Sequence, residues 1–135
     1  MPHNNKPHRL LHTMLRVRNL DTSLDFYTEK LGMRILRRED YSDGKFTLVF
    51  LGYEDESDAT VLELTHNWQD SDYNLGSAYG HIALAISDIY AFCTYLEAQN
   101  VIISRAPGPM AFGPSEIIAF IVDPDGYKIG LIEKN

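Results

Sequence analysis

Apolar and polar residues alternate with a period of two through most of this chain, and the alternation gives way twice to a helical stripe. Residues 60–67 (Thr-Val-Leu-Glu-Leu-Thr-His-Asn) are β-branched and apolar and predict a strand. Alternate side chains share a face, so Val61, Glu63, Thr65 and Asn67 point one way and Leu62, Leu64 and His66 the other. Residues 10–17 predict an earlier strand with His12, Met14 and Arg16 on one face. Asn19-Leu20-Asp21 turns the chain, with Asp21 as the expected N-cap. Leu20, Leu24, Tyr27 and Leu31 then mark a helix that Gly32 ends. Residues 33–41 and 45–53 predict two strands joined at Ser42-Asp43-Gly44.

The order then repeats. Residues 79–86 predict a strand with Tyr79, His81, Ala83 and Ala85 on one face. Ser87-Asp88 caps a second helix running to about residue 99, striped by Ile89, Phe92 and Leu96. A short strand follows at 101–104, then a loop bracketed by Pro107-Gly108-Pro109 and Gly113-Pro114. Strands at 117–122 and 127–133 flank the turn Asp123-Pro124-Asp125-Gly126. His81 falls on His12 with a shift of 69, Ile129-Gly130-Leu131 falls on Leu62-Glu63-Leu64 with a shift of 67, and Phe120 falls on Phe50. Internal duplication is the economical reading. The expected organisation is a flexible arm at 1–9 carrying His3 and His8, a first module at 10–68, a linker at 69–78 and a second module at 79–135.

Composition narrows the functions this chain can serve. A net charge of −7, with no basic run beyond Arg37-Arg38, argues against a nucleic-acid or anionic-membrane partner. The single cysteine, Cys93, reads as a small buried hydrophobe. With no signal-peptide pattern and no apolar run of membrane-spanning length, a soluble cytoplasmic protein is the default.

Glu63 is the residue that asks for chemistry. An ionised carboxylate turned into a packed interior costs several kcal/mol on the order of magnitude unless it is paired or binds a metal. The plain alternatives are an edge position facing water or an ion pair with an arginine, and either histidine alone reads as a satisfied core residue. Together, His12, Glu63 and His81 supply two imidazoles and a carboxylate, a ligand set for Zn, Ni, Co, Mn or Fe(II).

Four stretches carry a family resemblance: Leu-Leu-His-Thr-Met-Leu-Arg-Val (10–17), Val-Leu-Glu-Leu-Thr-His-Asn-Trp (61–68), Ala-Tyr-Gly-His-Ile-Ala-Leu (78–84) and Asp-Pro-Asp-Gly-Tyr-Lys-Ile (123–129). They resemble bacterial glyoxalase I, the lactoylglutathione lyases, within the vicinal oxygen chelate superfamily. The resemblance implies an α+β fold of two tandem βαβββ modules whose sheets curve around a metal site. It also implies a homodimer in which His12 and Glu63 of one chain meet the second module's ligands from the other. The expected ion is Ni(II) or Co(II), with Zn(II) as the other candidate, and glutathione is the expected co-substrate. Arg16 and Asn67 would hold the glutathione moiety of a methylglyoxal hemithioacetal, which the enzyme isomerises to S-D-lactoylglutathione.

Two positions depart from the family pattern. The fourth metal ligand, a glutamate also assigned as a catalytic base, is Gly130 here, and Glu133 faces the opposite side of its strand. The lysine that commonly follows Gly-Pro-Met is Ala111. Two functional readings follow: a glyoxalase I in which Glu63 is the remaining acid/base, or a metal- and thiol-conjugate-binding relative that does not isomerise.

Overall fold

The computed structural model describes residues 5–69, 72–112 and 115–135. His3 of the expected arm and Gly113-Pro114 of the expected loop lie outside them. The chain divides into two compact units, Met1–Tyr73 and Asn74–Asn135.

In the first unit, strand β1 (His12–Arg16) leads into helix α1 (Leu20–Leu24), which runs on as a π-helical turn over Asp25–Lys30. Strands β2 (Arg34–Tyr41), β3 (Phe46–Gly52) and β4 (Val61–Asn67) follow, and the sheet order is β1-β4-β3-β2. The second unit has β5 (Ile82–Ile86), helix α2 (Ile89–Ala98), β6 (Ile102–Pro109), β7 (Ile117–Val122) and β8 (Lys128–Glu133), in the order β5-β8-β7-β6. In each unit the first strand runs parallel to the last and the remaining pairs are antiparallel. The fold is therefore α+β, and the duplication read from the sequence is a duplication of topology and register. Glu63 pairs with Met14 on one side and Phe50 on the other, and Gly130 pairs with Ala83 and Phe120 in the same way.

Strand β4 is interior to its sheet, so Val61 through Thr65 are buried on both faces. On one face Leu62 and Leu64 join Val49 and Leu51, with Leu15, Val17, Tyr27 and Leu31 also in the core. The helix begins on Asn19, not Asp21: the Asn19 side chain accepts from the Thr22 amide, which needs the cap to sit just before the first helical residue. The π-helical turn carries an extra residue per turn, so neighbouring Phe26 and Tyr27 are both buried, ring against ring at 5.0 Å.

Two other boundaries differ from expectation. The turn of the first hairpin runs on through Lys45, which takes φ 60°, so β3 begins at Phe46 rather than at residue 45. Strand β6 runs on through Pro107-Gly108-Pro109, which the sequence suggested as loop. It is an edge strand, where a missing N–H is tolerated, and the Arg105 guanidinium supplies donors to the carbonyls of Ala106, Gly108, Pro109 and Ile118. The turn into β8 is held by buried Asp123, whose Oδ1 accepts from the Asp125 and Tyr127 amides while Gly126 takes φ +97°. Cys93 is buried in α2. Among the described residues no helix is long and apolar enough to cross a membrane.

Candidate metal centre

Glu63 sits in the middle of the interior strand of its sheet and is 8% exposed. Neither plain alternative for it holds: it faces no water-filled edge, and the partner of its Oε1 is the Nε2 of His12, at 2.9 Å. Its Oε2 accepts a hydrogen bond from Thr65 Oγ1 at 3.2 Å. His12 starts the neighbouring parallel strand, which is what carries its ring to the Glu63 side. The imidazole stands edge-on to Phe50, with ring centroids 5.4 Å apart and planes at 80°.

An imidazole nitrogen and a carboxylate oxygen at this separation share a proton, or, with both lone pairs free, share a cation. The donor set fits a divalent ion: one N and one O donor converge, and Thr65 orients the second carboxylate oxygen from outside the pair. A cation there also answers the cost of a carboxylate buried in an apolar strand.

The second unit repeats the arrangement with one member changed. His81 stands edge-on to Phe120 at 5.0 Å and 65°. The place of Glu63 is taken by buried Gly130, and a Cβ built on it would lie 3.1 Å from His81 Cδ2 and 3.2 Å from Phe120 Cε1. Of the expected ligands, the structure thus brings His12 and Glu63 together and places His81 in the second unit. Among the described residues no three of His, Cys, Asp and Glu gather into a metal-holding group.

Arg16 is exposed and pairs in register with Thr65, on the His12–Glu63 face. Asn67 is half-buried on that same face and donates from Nδ2 to the Tyr73 hydroxyl at 3.1 Å. His66 faces the other way, its Nδ1 3.3 Å from the Val17 carbonyl. It lines a cleft of about 510 Å³ with Arg18, Arg38, Asp40, Thr47 and Trp68, on the opposite side of the sheet from Glu63.

The sequence reading missed Arg37. Its guanidinium carbon lies 3.7 Å from the Phe50 ring centroid, its Nε donates to Glu56 at 2.7 Å, and its Nη1 meets Glu39 at 2.9 Å. The Arg37 hydrogen bond holds the Glu56 carboxyl below the usual carboxylate range, with the field of nearby His12 adding to the pull, and Glu56 in turn raises Arg37. No period-two pattern reveals this residue, because a bulge in β2 shifts its phase.

Comparison with known proteins agrees with this geometry. Residues 9–131 match the model of the Glyoxalase/Bleomycin resistance protein/Dioxygenase superfamily. A lactoylglutathione lyase of Neisseria meningitidis is 58% identical over 126 residues, covering 93% of this chain and 91% of that one. A lactoylglutathione lyase of Haemophilus influenzae is 51% identical over 125 residues, covering 93% and 92%. Among solved structures, the trypanothione-dependent glyoxalase I of Leishmania major superposes with a TM-score of 0.82 at 44% identity, covering 94% of this chain and 87% of that one. Glyoxalase I of Zea mays gives 0.88 at 40% identity over 93% of this chain, which spans 44% of the maize chain's length. The chain belongs to the Glyoxalase/Bleomycin resistance protein/Dioxygenase superfamily, in its branch of lactoylglutathione lyases.

Proposed function

We propose that this enzyme isomerises the hemithioacetal of methylglyoxal and glutathione to S-D-lactoylglutathione, with Glu63 as the acid/base. The supporting observation is the 2.9 Å approach of His12 Nε2 to Glu63 Oε1, at a buried carboxylate whose Oε2 accepts from Thr65. His12, Glu63 and His81 would hold one divalent ion, Ni(II) or Co(II) before Zn(II), with His81 supplied by a second copy in a homodimer. When bound, that ion supplies Lewis-acid stabilisation of the negative charge that develops on the substrate oxygens as the C1 proton leaves.

Glu63 takes the proton from C1 and returns it to C2, while the hydroxyl proton passes from the C1 oxygen to the C2 oxygen. No redox partner is needed. Thr65 holds Oε2, the oxygen turned away from His12, and so keeps the carboxylate's orientation through the transfer. Arg16 meets a glutathione carboxylate, and Asn67, braced by Tyr73, meets its amide groups. The reaction disposes of methylglyoxal, and the cytoplasm, where glutathione is abundant, is the compartment it suits.

Gly130 favours a second reading, a relative that binds metal and thiol conjugates without isomerising them, since the repeat offers no second carboxylate. The test is thioester formation, followed in the ultraviolet, on adding methylglyoxal and glutathione to nickel-loaded protein. Turnover above the metal-free protein supports the lyase, and none supports the binding protein. His12→Ala and His81→Ala are each expected to abolish stoichiometric metal binding.

A further inference from the structure

Strand β2 slips register between Ile35 and Arg37, so that Ile35 pairs with Leu51 but Arg37 pairs with Phe50. Without the slip Arg37 would stand opposite Val49, which is fully buried. The bulge turns the guanidinium to the Glu63 face and lays it over Phe50 at 3.7 Å. Glu56 accepts from Nε at 2.7 Å and from Nη2 at 3.2 Å, and Glu39 meets Nη1 at 2.9 Å, so the guanidinium plane is held at three points. Phe50 in turn meets His12 edge-on, and His12 faces Glu63. With two carboxylates on its donors, Arg37 is poorly suited to receive an anionic substrate. What it provides is a fixed wall behind Phe50.

The second unit repeats the device. Strand β6 slips between Ile103 and Arg105, pairing Arg105 with Phe120, and Phe120 meets His81 edge-on. There the arginine turns to backbone carbonyls, and the cation over the ring is Lys128, its Nζ 5.7 Å from the Phe120 centroid. Bulge, phenylalanine, histidine and cation all recur, and only the cation's place of origin differs.

We propose that Arg37 is a positioning residue for His12: clamped by Glu56 and Glu39, it fixes the Phe50 ring, whose edge-on contact aims the imidazole at Glu63. The inference rests on the reading of His12 as a metal ligand. Groups outside the ligand set set the ligand's orientation, and losing one costs about tenfold in metal affinity.

The test compares Arg37→Met, Arg37→Lys and His12→Ala in the full chain. Ni(II) affinity is measured by competition with a chromophoric chelator, alongside the Co(II) absorption spectrum and thermal unfolding of the metal-free protein. Arg37→Met is expected to bind about tenfold more weakly and to shift the Co(II) bands, with metal-free unfolding unchanged. Arg37→Lys, which gives Phe50 what Lys128 gives Phe120, is expected to stay within about threefold of the parent. Unchanged affinity and spectrum in Arg37→Met, where His12→Ala has lost its metal, would overturn the role of Arg37 and leave the ligand reading standing. Equal losses in Arg37→Lys and Arg37→Met, or a loss that tracks a fall in metal-free stability, would overturn it too. Full metal content in His12→Ala would remove the ligand reading and this inference together.

Discussion

Gly130 lies beneath the His81 ring so closely that a Cβ on it would stand 3.1 Å from His81 Cδ2. In the first unit the matching place holds a real side chain, Glu63, and the flanking rings of His12 and Phe50 are 5.4 Å apart, against 5.0 Å for His81 and Phe120. A Cβ at 130 requires the His81 and Phe120 rings to give by a few tenths of an ångström, and the matching rings of the first unit stand farther apart around a real side chain. Gly130→Glu is therefore expected to fold, with a crowding cost of about 1 kcal/mol offset by removing a glycine from a strand interior. It should also tighten metal binding by supplying a fourth donor. Thermal unfolding and metal titration of this variant read the two effects separately, and a loss of several kcal/mol (order of magnitude) would show that the rings do not yield.

Glu63→Gln keeps the shape of the side chain and an acceptor for Thr65, but removes the proposed base. Turnover is expected to fall at least about a hundredfold, while metal-free unfolding stays close to the parent. Steady-state rates at saturating nickel check it. A variant with near-parent turnover would move the proton transfer to another group.

Tyr79 gives a pH signature. Burial pushes its phenol up to about 12, and its hydroxyl donates to the Lys128 carbonyl at 2.9 Å. A phenol whose folded pKa is raised favours the neutral form, so its contribution is complete below its unfolded value and is lost as pH rises through the folded one. Stability should therefore decline from pH 10.0, the ordinary value of a phenol, up to about 12. Tyr79→Phe should flatten that part of the profile in denaturant unfolding across alkaline pH.

Asp123 is 4% exposed and satisfies two backbone amides at the turn into β8. Asp123→Ala strands both, at a cost of about 2 kcal/mol, whereas Asp123→Asn keeps an acceptor and should cost less than about 1 kcal/mol. Urea unfolding measures the difference.

Much of this fold is legible in the residue pattern alone. Period-two patterning placed the strands, and the shifts relating His12 to His81 and Leu62-Glu63-Leu64 to Ile129-Gly130-Leu131 reappear as matched register in the two sheets. The facing of His12 toward Glu63 followed once both strands were placed side by side. What escaped were features where tertiary contacts override local rules. Asn19 and Asp21 are both good caps, and only the start of the helix decides between them. The π-helical turn exists to bury Phe26 and Tyr27 at once, a demand of the core that no helical stripe encodes. Strand β6 runs on through its Pro-Gly-Pro because Arg105, earlier in the same strand, donates to its carbonyls, a contact that no alternation pattern encodes. Arg37 was hidden for a related reason: a bulge reverses the face of every residue after it.

The proposed centre holds one divalent ion between His12 and Glu63 of one chain and His81 of another. Metal content of a mixed assembly tests it most directly. His12→Ala and His81→Ala are prepared separately, each expected to hold no stoichiometric metal, then unfolded together in equal amounts, refolded and titrated with nickel. Random pairing gives mixed dimers in half the population, each with one intact site, so about a quarter of the parent's metal per chain should return. No recovery in the mixture, or full metal in either variant alone, would contradict the account.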